Sequence, residues 1–281
     1  MISGSFRAMG TTVTVRTLRD DDIESARRLF ENVEQACSRF RPDSELTNVN
    51  RDPAPAVRIS PMLRRVLESA AAARQRTGGL VDIGLGRVVS DWGYDRTFVE
   101  IEDLAEPPPL HRRPEWTLED GSLHRPPGVA IDLGGIAKGW TCDLAVDRGL
   151  ATVAAAGGDV RSADEATTVE IIDPWSEPAV TVALGVGALA TSSLTRRRWR
   201  VGGRDVHHLI DPRTSQPSDS PVLSASALTA TAAEAEAAAK AVLLLGTDGL
   251  EWAERQPWVR SAVVVWKDGN VYSTTDLEVA A

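Results

Sequence analysis

The sequence predicts an α+β protein, with helices packed on a mixed, largely antiparallel sheet. Three observations predict it. Strand-like and helix-like segments follow one another without the strict alternation of a doubly wound parallel fold. Two stretches, "WTLEDGSLH" and "SAVVVWKDGNVYST", read as antiparallel hairpins, the first turning at Asp-Gly. Several longer stretches repeat apolar residues at helical spacing. The chain has 281 residues, 42% hydrophobic and 25% charged, enough for a sizeable core in an ordinary globular composition.

Taken in order, "TTVTVRT" alternates and is rich in β-branched residues, so it predicts a strand. "DDDIESARRLFENVEQACSRF" predicts a helix: an Asp caps it, and Ile23, Ala26, Phe30, Val33 and Cys37 fall at helical intervals. "SPMLRRVLESAAAARQRTGG" predicts a second helix, with Ser60 as N-cap, Pro61 in the first turn and Gly78 as the stop. Residues 106–128 are proline-rich and hold the first hairpin; they form either a domain boundary or an excursion within one domain. "GVAIDLGG" reads as a buried strand and "AKGWTCDLAVDRGLA" as a helix. "ATVAAAGGDV", "TTVEIID" and "AVTVALGVGALATS" read as further strands. "EAEAAAKAVLLLG" is a helix of Ala and Leu that ends at Gly246.

The formal net charge of -9 lacks the electrostatic term on which nucleic-acid affinity rests. The basic run Arg196 to Arg200, "RRRWR", reads as a solvated face or strand edge, with an anionic ligand as the minority reading. Cys37 and Cys142 are too few for a disulfide framework and lack metal-site spacing; both read as buried thiols. The N-terminus has no signal-peptide pattern or lipidated cysteine, and no window is apolar enough to span a bilayer. The expectation is a cytoplasmic chain.

Four segments combine glycine with a polar or charged residue: "AMGTT", "GGLVDIGLGRVVSDWGYD", "AIDLGGIAKGW" and "AAAGGDV". Glycine pairs at element ends let the backbone approach a ligand closely. A helix that starts just after Gly134-Gly135 aims free N–H groups at its neighbour, which suits phosphate. Each segment alone is a weak signal, because such turns are commonly only turns. Glu236 and Lys240 lie four apart on one helical stripe with Leu244, either on a solvated edge or in a buried site.

In this order, and over nearly the whole length, these segments resemble the ApbE family, the FAD:protein FMN transferases. "AMGTT" resembles the family's Met-Gly-Thr, and "CSRFRPDSELTNVN" its Ser-Glu-Leu…Asn segment. "IDLGGIAKGW" is a near-verbatim match to the most specific motif. "GGLVDIGLGRVVSDWGYD", "AAGGDV", "ALATSS" and "HHLIDPRTSQP" are similar to the remaining motifs. The resemblance implies an ApbE-like (T-fold-like) single domain over 1–281. It implies a protein that uses FAD as substrate and, with magnesium (Mg2+), moves FMN onto a Thr or Ser of an acceptor protein. AMP leaves and a phosphodiester forms. By position, Met9 and Phe40 would flank the isoalloxazine, and Leu80, Val81 and Asp82 would line it. Asp132 and the turn from Gly134 and Gly135 to Lys138 would shape the diphosphate pocket. His208 would be the base for the acceptor hydroxyl, with a structural cap on the "LIDPRT" turn as the alternative. His207, His111 and His124 have no such context and read as surface residues.

The resemblance also implies metal ligands at Ala137, through its carbonyl, and on the last long helix at an Asp and a Thr. Those two positions are Glu236 and Lys240 here. A protonated lysine has no lone pair, and magnesium requires oxygen ligands. Three readings follow: Lys240 replaces the cation, Glu236–Lys240 is a solvated pair, or metal binds through Glu236, Ala137 and water. Ser215 stands where the family has a turn glycine, and Leu80-Val81 where it has Ala-Phe. A non-catalytic FAD-binding protein and an FAD diphosphate hydrolase are the competing functions. The acceptor would be another protein carrying a flavinylation motif, a membrane-bound redox protein among the candidates.

Overall fold

The Met9-Gly10 turn opens a hairpin at the start of the chain: both residues have positive φ, 52° and 71°. Two consecutive left-handed residues give the backbone twist that a two-residue β-hairpin needs. The computed structural model describes residues 1–110, 115–173, 175 and 177–277. The chain divides into two compact units, one of residues 1–31, 136–193 and 220–281, the other of 32–135 and 194–219.

The first unit is built on an eight-stranded sheet. Its spatial order is Ile2–Ala8, Thr11–Thr17, Val153–Ala156, Asp159–Ser162, Gly187–Ser193, Val222–Thr229, Val259–Trp266 and Val271–Ser273. Every neighbouring pair is antiparallel. On Thr11–Thr17 the alternation predicted from sequence appears as buried Val13, Val15 and Thr17 between exposed residues. "ATVAAAGGDV" is two strands rather than one, because Gly157 and Gly158 turn the chain at φ 63° and 106°. "AVTVALGVGALATS" likewise divides, into Pro178–Ala183 and Gly187–Ser193.

Two helices of this unit pack on each other and on the sheet, Ala137–Asp147 and Ala232–Leu245. Small residues allow the close approach: a Cβ on Gly139 would lie 2.7 Å from the Ala232 carbonyl oxygen. The N-terminus of Ala232–Leu245 is capped twice. Thr231 accepts the Glu234 N–H, and the Asp143 carboxylate accepts those of Ala232 and Ala233 at 2.7 and 3.0 Å. Each bond satisfies a donor with no partner inside the helix. Gly246, at φ 62°, ends the helix where the sequence places the stop.

In the second unit, Pro61–Arg76 starts at Ser60, whose hydroxyl accepts the Leu63 N–H, and stops before Gly78 at φ 60°. The short helix Glu45–Arg51 starts at Ser44, which caps Thr47. The predicted hairpin is present as Thr117–Glu119 and Ser122–His124 around Asp120-Gly121, and Ala56–Arg58 adds a third strand. Part of the proline-rich 106–128 stretch, and His111 with it, lies outside the described residues. Leu85, Val88, Trp92, Tyr94, Trp199 and Ile210 belong to one buried core.

One expectation fails here. "GVAIDLGG" is no strand, although Ile131 and Leu133 are fully buried. Its backbone is satisfied in another way. The Asn50 side chain donates to the Ile131 carbonyl and accepts its N–H, both at 2.8 Å, while the Asp132 N–H bonds the Ile83 carbonyl. A side-chain amide does the work of a partner strand, so burial comes without a ladder.

Candidate functional site

In the first unit, three of the glycine-bearing segments and the Ala-rich helix converge on one ammonium group. Lys138 sits in the first turn of Ala137–Asp147. Its Nζ donates to Asp159 Oδ2 at 2.8 Å and to Glu236 Oε1 at 3.1 Å. Lys240 Nζ donates to the same Glu236 oxygen at 3.1 Å. A Cβ on Gly157 would lie 3.3 Å from Lys138 Cε and 3.2 Å from the Thr11 hydroxyl, so the Gly157-Gly158 turn packs along the lysine stem. Met9 lies with its sulfur 3.8 Å from the Thr141 hydroxyl. The two ammonium groups and two carboxylates balance in charge. The Lys240 side chain is only 17% exposed and that of Glu236 6%. The pair predicted at i,i+4 is thus buried, not a solvated edge.

Burial sets the protonation of this cluster, opposed by its own pairs. Desolvation alone would lower the Lys138 pKa, but Asp159 and Glu236 more than offset it, and Lys138 is held above the ordinary lysine value. Burial and the neighbouring Glu236 charge push Asp159 up to about 6 against the pull of Lys138. For Glu236 burial acts upward, yet Lys138 and Lys240 prevail and its pKa is lowered. The result is two ammonium groups sharing an ionised Glu236.

The donor set does not fit a magnesium ion. Two ammonium groups already take Glu236 Oε1, and Lys240 offers no lone pair. The Ala137 carbonyl accepts the Thr141 hydroxyl at 2.6 Å. Glu236 Oε2 is buried without a hydrogen-bond partner among the described residues, one spare oxygen where magnesium takes six ligands. Among the described residues no group of three or more His, Cys, Asp or Glu side chains is arranged to hold a metal.

The second unit brings other expected residues together. Asp132 Oδ1 accepts the Gly134 N–H at 2.8 Å, and Oδ2 accepts Arg39 Nε at 2.9 Å. Phe40 packs on Tyr94 with ring centroids 5.3 Å apart, and His208 meets Tyr94 edge-on at 6.3 Å. The "SDWGYD" and "HHLIDPRTS" segments are joined by Trp92 Nε1, which donates to the Ser215 carbonyl at 3.0 Å, and Trp199 Nε1 of the basic run donates to the Trp92 carbonyl at 2.7 Å. Leu80 is half-buried and Val81 buried. The Asp82 carboxylate is fully buried. It accepts Trp116 Nε1 and the Gly84 N–H, and Arg74 Nε lies 3.0 Å from it. It is a tie within this unit. Arg74, Gly78, Gly79 and Trp116 line a cavity of about 510 Å³ beside it.

Histidine 207 is a correction. It reads as a surface residue in the sequence, yet it is buried. Its Nε2 bonds the Ser218 carbonyl at 2.9 Å, and its Nδ1 accepts the Leu209 N–H at 3.3 Å. His207 is therefore a structural histidine beside the "LIDPRT" turn. His124 is half-buried. Sequence reasoning missed Asp143 as a helix cap and Tyr94 as the ring about which Phe40, Arg39 and His208 gather. "WGYD" was the available signal for Tyr94; Asp143 had none beyond an acid in an apolar helix.

These units define an α+β protein whose glycine turns carry buried charge. Solved structures share the fold. The ApbE protein of Thermotoga maritima aligns with TM-score 0.85 at 23% identity, covering 98% of this chain and 97% of that one. The flavin transferase ApbE of Vibrio cholerae aligns with TM-score 0.80 at 22% identity over the same shares. The ApbE family model matches residues 9–263, and the chain belongs to that family. Relatives named FAD:protein FMN transferase include one from Vibrio cholerae, 25% identical over 93% of this chain and 86% of the relative. One from Haemophilus influenzae is 27% identical over 91% and 84%. Another, from Treponema pallidum, is 30% identical over 80% and 71%.

Proposed function

We propose that this protein is an enzyme that transfers the FMN moiety of FAD to a threonine or serine hydroxyl of an acceptor protein. The hydroxyl oxygen attacks the phosphorus of the FMN half. The bridging P–O bond breaks, AMP leaves with the bridging oxygen, and a phosphodiester remains on the acceptor. The observation that carries this reading is that relatives matching over nine-tenths of the chain, from Vibrio cholerae and Haemophilus influenzae, bear that reaction as their name. A membrane-bound redox protein is among the acceptors this reading admits.

The residues proposed for each part are supported within their own unit. In the second unit, Phe40, Leu80 and Val81 line the flavin, Asp82 braces that wall from within, and Asp132 with the Gly134-Gly135 turn shapes the diphosphate pocket. The support is the Asp132 bond to the Gly134 N–H, which takes that donor and fixes the shape of the turn. His208 takes the acceptor's proton; an imidazole titrates near neutrality, and His207 already fills the structural role beside it. In the first unit, Met9 meets flavin and Lys138 phosphate.

Lys240 supplies the positive charge that the family's metal ion would otherwise provide. Phosphoryl transfer needs cationic charge against the developing oxyanions. A buried, doubly paired Glu236 that holds two ammonium groups supports a fixed cation over Glu236 and Ala137 as metal ligands. The test is to incubate the protein with FAD and an acceptor domain carrying a threonine flavinylation motif, then record intact mass. A gain of one FMN on the acceptor is expected. FAD bound without transfer, or FMN and AMP released with no acceptor product, overturns the reading.

A further inference from the structure

The basic run at Arg196–Arg200 has no part in the reading above, and its members are not alike. Arg196, Arg198 and Arg200 are exposed, whereas Arg197 is half-buried. Arg197 also stands at φ 51°, a left-handed backbone that a long L side chain adopts only at a cost. Its guanidinium carbon lies 5.7 Å from the Tyr94 ring centroid. That of Arg39 lies 4.9 Å from the same centroid and 4.1 Å from that of Phe40. One tyrosine thus gathers two guanidinium groups, each within cation–π range, with His208 edge-on to it.

Carboxylates around this cluster do not balance it. Asp132 bonds Arg39 through Nε. Asp95 feels the charge of Arg39, but Arg96 holds both of its oxygens. The Arg39 side chain is only 8% exposed, and its second terminal nitrogen, Nη2, is buried with no hydrogen-bond partner among the described residues. A buried charged donor left unpaired is costly, and a second like charge nearby adds to the cost. An oxyanion that accepts the Arg39 Nη2–H removes the first penalty, the Arg197 charge on the same ring attracts it, and the planar fork of arginine matches phosphate geometry.

We propose that Arg39 and Arg197 form an anion subsite of the second unit that takes a phosphoryl group, and that Arg197 sets the preference for phosphorylated flavins over riboflavin. The identification of the ligand as a flavin nucleotide rests on the transferase reading; the subsite itself rests on the cluster. Calorimetric titration of the full chain with pyrophosphate, FAD and riboflavin tests it, in wild type, Arg197→Gly and Arg197→Lys. Glycine suits a φ of 51°, so Arg197→Gly keeps the fold while removing the charge. The expected result is a loss of about ten-fold or more in pyrophosphate and FAD affinity in Arg197→Gly, with riboflavin affinity unchanged. Arg197→Lys restores part of the loss, because it returns the charge without the fork. Added salt weakens FAD binding more in wild type than in Arg197→Gly. Equal losses for riboflavin and FAD overturn the subsite, as does pyrophosphate binding that is absent from wild type or indifferent to Arg197. A wild-type protein that fails to flavinylate an acceptor, yet binds pyrophosphate through Arg197, overturns the transferase reading and upholds the subsite.

Discussion

In the first unit Lys138 and Lys240 meet Asp159 and Glu236, and the charges cancel within a buried cluster. In the second, Arg39 and Arg197 gather about Tyr94, and Asp132 is bonded to Arg39. Both clusters keep cations out of bulk water, and they do so in opposite ways. The first is closed by its own carboxylates, so each member supports the others and removing one leaves a buried charge exposed to the low dielectric. The second carries surplus positive charge and an orphaned donor, so its balance is completed from outside. Substitutions in the first cluster are therefore expected to lower stability, and substitutions in the second to lower anion affinity.

The sharpest way to break this contrast is Glu236→Ala. It leaves Lys138 to Asp159 alone and takes the buried Glu236 partner from Lys240, and the expected cost is about 3–5 kcal/mol of unfolding free energy by chemical denaturation. A loss no larger than that of an exposed salt bridge would mean that the first cluster is open to water after all. Gly139→Ala comes next. The new methyl would sit 2.7 Å from the Ala232 carbonyl oxygen, backbone that cannot swing aside, and about 1–3 kcal/mol is expected to be lost. An unchanged thermal midpoint would show that the two helices are free to part.

The acid limb of the stability curve sharpens the comparison further. The Asp159 carboxyl is held up at about 6, so the folded state binds this proton more tightly than the unfolded chain does. Its contribution to stability is full below about pH 4, near the ordinary aspartate value, and is lost as pH rises through 6. Burial raises Asp143 to about 7 and adds a slope of the same sign, so Asp159→Asn is expected to reduce the slope between those limits without abolishing it, followed by denaturation at stepped pH. A slope left unchanged by the substitution would assign it to Asp143 alone. The smallest effect is a gain. Ser215 has φ 57°, and Ser215→Gly is expected to raise stability by about 1 kcal/mol by removing a left-handed serine. A loss would mean that the buried serine side chain is worth more than the strain.

How much of this was legible in the sequence depends on where each signal lies. Pro61–Arg76 was readable at both ends because its cap, its first-turn proline and its stop are local. The interior strand Val222–Thr229 was not read, since half of "VLSASALT" is Ala and Ser and it lacks the β-branched alternation that marks strands. The Ile2–Ala8 strand was missed for a similar reason, with Gly and Ser at alternate positions. Within the site, Glu236–Lys240 was visible because four residues make one helical step. Lys138, far away in sequence, reaches the same oxygen only through the fold. The Arg197 cation–π contact and the burial of His207 were likewise invisible, because each depends on a partner that no spacing rule supplies.

Central to the proposed function is a lysine-held positive charge in place of the metal ion that the family resemblance implies. The most direct measurement follows FMN transfer from FAD to an acceptor domain by intact mass, with magnesium and with chelator, in wild type and Lys240→Thr. Wild-type transfer that persists in chelator, together with a Lys240→Thr variant whose transfer requires magnesium, is the predicted result. Wild-type transfer abolished by chelator and restored by magnesium would contradict it.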